Sequence, residues 1–535
     1  MIKILQSIIL VTIVLTSVVF GQAPALGTSL NFVLFSSNGA VTNTGLSHLT
    51  GDVGTNNGSS TNFGNVDGVM HDADGAAAAA AASLTIAYNQ LNSAIPNFFP
   101  APLLGNGQTL SAGTYSIGQS ATLNNTLTLD GGGNGNAVFI FKIQGAFSSA
   151  ANAQVLLTNG ALACNVFWKV EGLVDLATNT VMKGTIIANN AAIILNTGTV
   201  LEGRVLSTTG AVTVSGVTIR KPIGCGSVYL TGPAQPVLNS VACYTIFTGN
   251  GTVTNSGVSL VTGDIGSNLG LTTGFSAANV NGTIHTNPDI STALCAMDLS
   301  NLYTYLNTLP TDIELLYPAA FGQNLVLTPH TYQLNAATVL NGTVILDAQN
   351  NPNAVFVIKI NGALSTSTYA SVVLQNQAQA KNVFWKIDGA VNLNDYTTFK
   401  GTVVGNNGAI IMNLGSSIEG RVLSTSGGIT TSGINAQMTP GCIPGSLGVG
   451  SASQNKQEVA LYPNPFSSVL NVKIENVNKG SDLTIYDATG ASVLGRVLNE
   501  TLNSIQLNLP IGIYFYQIKN KNGHLVQSGK LISKP

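Results

Sequence analysis

With 535 residues, the chain is long enough for two or three domains, each able to bury its own core. Charged residues make up 8% and hydrophobic ones 44%, so Thr, Ser, Asn, Ala and the 59 glycines must cover most of the surface. The 20 basic and 22 acidic residues, a formal charge of -2, form no basic stripe, which argues against nucleic acid as a partner.

The first residues, MIKILQSIILVTIVLTSVVFGQA, place one early Lys before an apolar run from Ile8 to Phe20 and then small residues. This is the pattern of a secretory signal peptide, expected over 1–22. No Cys follows the run to accept a lipid, and no later stretch is long and apolar enough for stable membrane insertion. In an exported chain, Cys164, Cys225, Cys243, Cys295 and Cys442 permit at most two disulfides, with no pairing readable from spacing.

Two scales of repetition follow. FSSNGAVTNTGLSHLTGDVG from Phe35 returns as FTGNGTVTNSGVSLVTGDIG from Phe247, and NVFWKVEG from Asn165 returns as NVFWKIDG from Asn382. The duplicated units are expected over 25–226 and 237–445, with linkers at 227–236 and 446–457. Asp52 and Asp264, in TGD turns, are expected to bond backbone N–H groups. His71 and His285 stand before the helices described next, without ligand-spaced neighbours, so neither a metal nor any other cofactor is expected.

Each unit contains one segment with helical character. His71 to Ser93 is Ala-rich, with Leu84, Tyr88 and Leu91 on one stripe and Asp72 or Asp74 able to cap its start. Its counterpart is Asn287 to Thr308, where Pro288 suits the first helical position. Gly131 to Gly133 lacks the strand and helix of a phosphate site and reads as a loop.

The short repeat closes each unit. Asn165, Gly184 and Gly203 open segments 19 residues apart, matched by Asn382, Gly401 and Gly420. Apolar residues align in columns: Phe167, Ile186, Val205; Val174, Ile193, Val212; Leu176, Leu195, Val214; Val181, Val200, Ile219. Runs this short, alternating and split by Asn or Gly, predict coils of a three-sided β-helix. Glu202 with Arg204, and Glu419 with Arg421, suggest ion pairs at coil ends. After the second unit, LYPNPFSSVLNVKI, LTIYDATGASVL and LPIGIYFYQIKNKNGHLVQSGKLISKP predict a small β-sandwich over 458–535.

That tail resembles the C-terminal sorting domain of the Bacteroidetes type IX secretion system, through Tyr462-Pro463-Asn464-Pro465, Gly512-Ile513-Tyr514 and the basic end around Lys530 and Lys534. The resemblance implies that secretion machinery is a partner, that the tail is removed, and that the product is extracellular or attached to the cell surface. VTNTGLSHLTGDVG, the Ala-rich helix, NAVFIFKI, ALACNVFWKV and NTGTVLEGRVLSTTGAVTVSG together resemble the microbial ice-binding protein family. The implied fold is mainly β: two tandem right-handed β-solenoids, each with one long α-helix packed alongside, ahead of the sandwich. The implied partner is an ice crystal surface, met by a monomer.

Ice presents a rigid, repeating array, so its binder needs a flat, regular surface with little charge. Counting along the 19-residue repeat gives a sixteenth column of Thr180, Thr199 and Thr218, and a fourteenth of Thr178, Thr197 and Gly216. Read as outward, these form a Thr grid. The second unit offers Thr397, Ser416 and Asn435 beside Asp395, Leu414 and Gly433, a poorer grid, so the first unit is expected to bind better. A rival surface holds Ser207, Thr208, Thr209 and Thr213 over Ala188, Asn189, Asn190 and Ile194, less regularly. An enzyme of the β-helix lyase or hydrolase type would need clustered carboxylates that these coils lack. An adhesin or carbohydrate-binding protein would call for aromatic platforms, and aromatic residues are 6%.

Overall fold

Strand runs of two to eight residues, too short and too alternating for an amphipathic helix, stack here as parallel ladders. The structure is a computed structural model that describes residues 22–224, 230–442, 459–474, 480–521, 523 and 525–534. The expected linker at 446–457 and, but for its last residue, the expected signal peptide lie outside these residues. Of the expected linker at 227–236, the described part lies against the second unit, where Val355 N–H donates to Thr231 O at 2.8 Å.

The coils do not stack in chain order. In the first unit one sheet runs, in space, Ser60–Thr61, Val41–Thr44, Val212–Ser215, Ile193–Leu195, Val174–Leu176, Phe147–Ser149, Ala121–Asn124, Leu103–Gly105. The opening strands therefore dock beside the last coil, with Leu34 paired to Val205. The second unit repeats this order from Thr272–Thr273 to Phe321–Gly322, and Ile246 pairs with Val422.

In-register pairing puts like positions one strand spacing apart, about 4.8 Å. Tyr115, Phe141 and Trp168 consequently stack in the first core, with ring centroids 5.0 and 4.1 Å apart. The columns Val174–Ile193–Val212 and Leu176–Leu195–Val214 lie in that core as expected. Two other columns are corrected. Trp168, not Phe167, pairs with Ile186, while Phe167 faces the helix. Val181 and Val200 face outward and align with Thr218 rather than Ile219. In each case a corner is one residue shorter than its counterpart in the next or previous coil, 170–174 against 188–193 and 214–218 against 195–200, and the one-residue slip puts the side chains on one side of that corner out of step with a 19-residue count.

Helix α1 spans Gly75–Ser93 and α2 spans Ile290–Thr308. Ala77, Ala80, Leu84, Ala87 and Leu91, spaced three and four apart, bury one stripe of α1 against Phe35, Ile140, Phe167, Ile187 and Leu206. The small alanines allow close approach to a face studded with large residues. The α1 N-cap is Asp74, whose side chain accepts from Ala77 N. Asp289 caps α2 with a full capping box through Thr292, so Pro288 precedes the cap instead of opening the helix. His71 and His285 each bond the capping carboxylate, at 2.7 and 2.5 Å. Asp52 and Asp264 accept from Val69 N and Thr283 N of the next coil.

The proposed Glu–Arg pairs do not form. Glu202 bonds Lys183 on the neighbouring strand at 2.8 Å, and Glu419 bonds Lys400 likewise. Beyond the corner at Gly203, Arg204 turns inward and donates to Leu30 O at 2.8 Å. Arg421, fully buried, reaches Ala242 O and Thr439. These guanidinium groups bind the opening segment of each unit to its last coils. Cys243–Cys442 fastens the same end of the second unit, Cys164 is disulfide-bonded, and Cys295 is a free thiol on the buried stripe of α2.

The tail folds by itself as three-stranded and four-stranded antiparallel sheets around Phe466, Leu470, Leu483 and Ile518. Asn464 of the Tyr-Pro-Asn-Pro motif bonds both Lys530 O and Ile532 N on the last strand.

The Ala77 N–H and the His71 ring hold the Asp74 carboxyl below the usual aspartate range. A depressed pKa contributes stability above the ordinary aspartate value and loses it as pH falls through the depressed one. Asp74→Ala should cost about 1 kcal/mol at pH 7. In thermal melts, the gap from the parent protein should close as pH is lowered below the aspartate range.

Candidate functional site

Each coil presents three faces, and each has a different chemistry. The first is apolar and lies under the helix. The second carries ions: Lys183, Glu202 and Arg220 occupy adjacent strands, with N–O distances of 2.8 and 3.4 Å, and Lys400 with Glu419 repeats the arrangement. Burial alone would raise the Glu202 carboxyl, yet Lys183 and Arg220 hold it below its ordinary value. The third face is covered by nothing within its unit.

On that third face of the first unit, the outward residues form one continuous column: Thr61, Thr42, Thr213, Ile194, Asp175, Ser148, Thr122, Leu103. Two residues earlier on each strand, about 6.6 Å away, runs a column of small side chains: Ser59, Ala40, Ala211, Ala192, then Leu173, then Ala146 and Ser120. The second unit gives Thr273, Thr254, Thr430, Ile411, Asn392, Ser365, Val339. Its small column is Thr252, Gly428, Ala409, Ala390, Ala363, with Leu271 at the end of the stack. Hydroxyls bond along the columns, Thr42 to Thr213 at 3.2 Å and Thr254 to Thr430 at 3.3 Å, which fixes their directions.

The Thr grid expected from column counting is dispersed. Thr180, Thr199, Thr397 and Ser416 are fully buried at the corner between the bare and ionic faces. Thr180 Oγ1 donates to Ala177 O and lies 2.7 Å from Ser149 Oγ; Thr397 pairs with Thr366 in the same way. The chain turns at Asn179 (φ 58°) and Gly198 (φ 79°), and the next residue points inward, where its hydroxyl meets a carbonyl that the turn removes from the ladder. Thr178 and Thr197 are exposed on that corner. Thr218 and Asn435 are exposed on the ionic face, aligned with Val200 and with Ser417.

The rival surface divides too. Ser207 is buried and donates to Ala191 O, and Thr208 bonds Asn189 at the corner beside α1. Thr213 and Ile194, however, belong to the bare column. Column counting missed Thr42, Thr61, Thr254 and Thr273 because these come from opening strands inserted beside the last coil. The available signal was the likeness of Val41-Thr42-Asn43-Thr44 to Val212-Thr213-Val214-Ser215. Among the described residues, no group of three or more His, Cys, Asp or Glu is placed to hold a metal ion.

Residues 35–220 and 247–436 match the family described as ice-binding-like, and 460–534 match the secretion system C-terminal sorting domain. The chain is 40% identical over 166 residues to an ice-binding protein of Nostoc sp. (strain HG1), an alignment spanning 30% of this chain and 61% of that relative. An ice-binding protein of Colwellia sp. is 31% identical over 218 residues, 38% of this chain and 83% of its own length. The crystal structure of an ice binding protein from an Antarctic bacterium, Flavobacteriaceae, superposes with a TM-score of 0.78 at 76% identity, covering 79% of this chain and 100% of that one.

The burial of Thr199 has a direct consequence. Thr199→Tyr should overpack the corner and cost about 2 kcal/mol or more, a fall of several degrees in thermal midpoint. Thr199→Val loses only the long 3.4 Å bond to Ala177 O and should cost about 1 kcal/mol, because Val217 already fills the equivalent place in the next coil.

Proposed function

Since the chain belongs to the ice-binding-like family through both of its solenoid units, we propose that each unit adsorbs to ice through its bare face and thereby restrains ice growth and recrystallisation. The single observation that carries this reading is the pair of continuous, nearly uncharged columns on the one face that neither helix nor ion pairs occupy. Strand spacing fixes one axis of the surface and side-chain alternation the other, about 4.8 and 6.6 Å. Methyl groups of Thr, Ile and Ala favour cage-like water, and the aligned hydroxyls anchor it. A strongly hydrated ion would hold that water in the wrong order.

By this measure the second unit is the stronger binder, which reverses the ranking from column counting. In the first unit Leu173, 42% exposed, stands up from the alanine column, and Asp175 puts a carboxylate in the centre. The second unit has Ala390 and Asn392 in those places. Asn413 bonds Asn392 at 2.7 Å, as Asn196 bonds Asp175 at 2.9 Å, so the amide replaces the charge without altering the scaffold. Adsorption requires no catalytic step, cofactor or nucleic acid, and we read the working form as a monomer.

The sorting domain places the chain outside the cell, secreted or held at the surface. We read the tail as removed on export, so deleting the chain from Leu461 onward should trap the protein in the periplasm with its ice activity intact. Ala409→Tyr, in the middle of the second bare face, should sharply reduce thermal hysteresis and recrystallisation inhibition while the thermal midpoint moves by less than about 0.5 kcal/mol equivalent. Leu173→Ala combined with Asp175→Asn should raise the activity remaining in that variant. An Ala409→Tyr protein with unchanged activity would overturn the face assignment.

A further inference from the structure

The end coil of a solenoid exposes strand edges and core side chains that no neighbour covers. Here one such end of each unit is closed by the other unit. The strand His48–Thr50 of the first unit packs against Leu325–Leu327 of the second. Asn65 donates to Tyr317 O at 2.9 Å and accepts from Tyr317 N at 2.9 Å. Between these contacts Asp67, 2% exposed, places its carboxylate among donors of the opposite unit. One oxygen accepts from Thr328 Oγ1 at 2.8 Å and from Thr328 N at 3.2 Å, and the other accepts from the Tyr332 hydroxyl at 2.6 Å. Burial pushes the Asp67 carboxyl above its ordinary value, and these hydrogen bonds together with Lys221 of the first unit act against that rise. Burial and the adjacent carboxylate hold the Tyr332 phenol well above its ordinary value, so it stays protonated and donates.

A buried carboxylate is costly unless its partners are in place, and both residues that hydrogen-bond it, Thr328 and Tyr332, belong to the other unit. A pair of domains merely tethered by a linker would have no use for such a group. Both His48–Thr50 and Leu325–Leu327 lie on the ionic side of their coils. Like meets like, and the faces follow one another in the same order in both units. The two bare faces therefore lie on the same side of the stack.

We propose that Asp67 is a positioning residue, a latch that fixes the two units as one rigid body so that both bare faces meet a single ice surface together. This rests on the assignment of the bare faces to ice. Rigid linkage makes engagement of the second face intramolecular, so overall adsorption exceeds that of two independent units.

The test is a double-mutant cycle on the full chain. Asp67→Ala should widen the distribution of inter-unit distances in small-angle scattering and raise the concentration needed to stop recrystallisation roughly threefold to tenfold. Thr328→Val, which removes one hydroxyl donor, should do the same more weakly, and it serves if Asp67→Ala fails to fold. In an Ala409→Tyr background, where the second face no longer engages, Asp67→Ala should have no further effect on activity. Loss of activity from Asp67→Ala that is equally large in that background would mean general damage, and overturns the latch. Unchanged scattering or unchanged activity in the single variants also overturns it. If Ala409→Tyr alone is silent, the face assignment fails instead, which keeps the two ideas separable.

Discussion

A parallel ladder that coils on itself must leave its plane at every corner, and most of this molecule follows from how those corners are made. At the corner beside the bare face, Asn152, Asn179, Gly198 and Gly216 have positive φ of 61°, 58°, 79° and 55°. Left-handed backbone is the least strained for Gly and Asn. The corner residue diverts the chain, and the next side chain turns inward to satisfy the carbonyl left behind. Buried hydroxyls such as Thr180 and Thr366 are therefore part of the corner, each bonded to a backbone group of the turn.

Once the corners are fixed, each face is free to specialise. Large apolar residues gather where a helix covers them, with alanines on the helix to match. Ion pairs hold the second face, and the third is left bare and level. The same corner is built differently in the second unit, where Tyr369 and Tyr396 adopt φ of 61° and 58° in place of Asn152 and Asn179. Their rings stack 5.0 Å apart, and that contact offsets the strain that bulky residues meet in this region. In the first unit the asparagines instead bond one another at 3.2 Å.

Repetition, alternation and cap chemistry were legible in the sequence, and they were enough for the two solenoids, both helices and the sandwich. Val174–Ile193–Val212 could be aligned because the shorter corner between Val170 and Val174 restores the 19-residue step there. The site was harder to read for two physical reasons. The 19-residue step holds only between some of the closing strands, and the step from Val200 to Thr218 is one shorter, which turned an inward Thr column into an imagined outward grid. The bare face also draws its Thr residues from strands distant in sequence, Thr42 beside Thr213 and Thr254 beside Thr430. No period along the chain reveals a neighbour inserted from outside the repeat.

That insertion also governs how the molecule can fold. A solenoid whose coils stack in chain order can grow from one end, each new turn settling on the last. Here the strand at 32–36 must wait for the strand at 200–207, and the one at 244–248 for the one at 417–424. The opening strands can pair with each other, Leu34 with Val53 and Ile246 with Ile265, but their second neighbours arrive only when nearly the whole unit has been delivered, and long-range closure of this kind makes folding slow. A chain recognised for export by its C-terminal domain has the late partners of both units delivered by the time it is recognised, so the order of the stack and the position of the sorting tail suit one another.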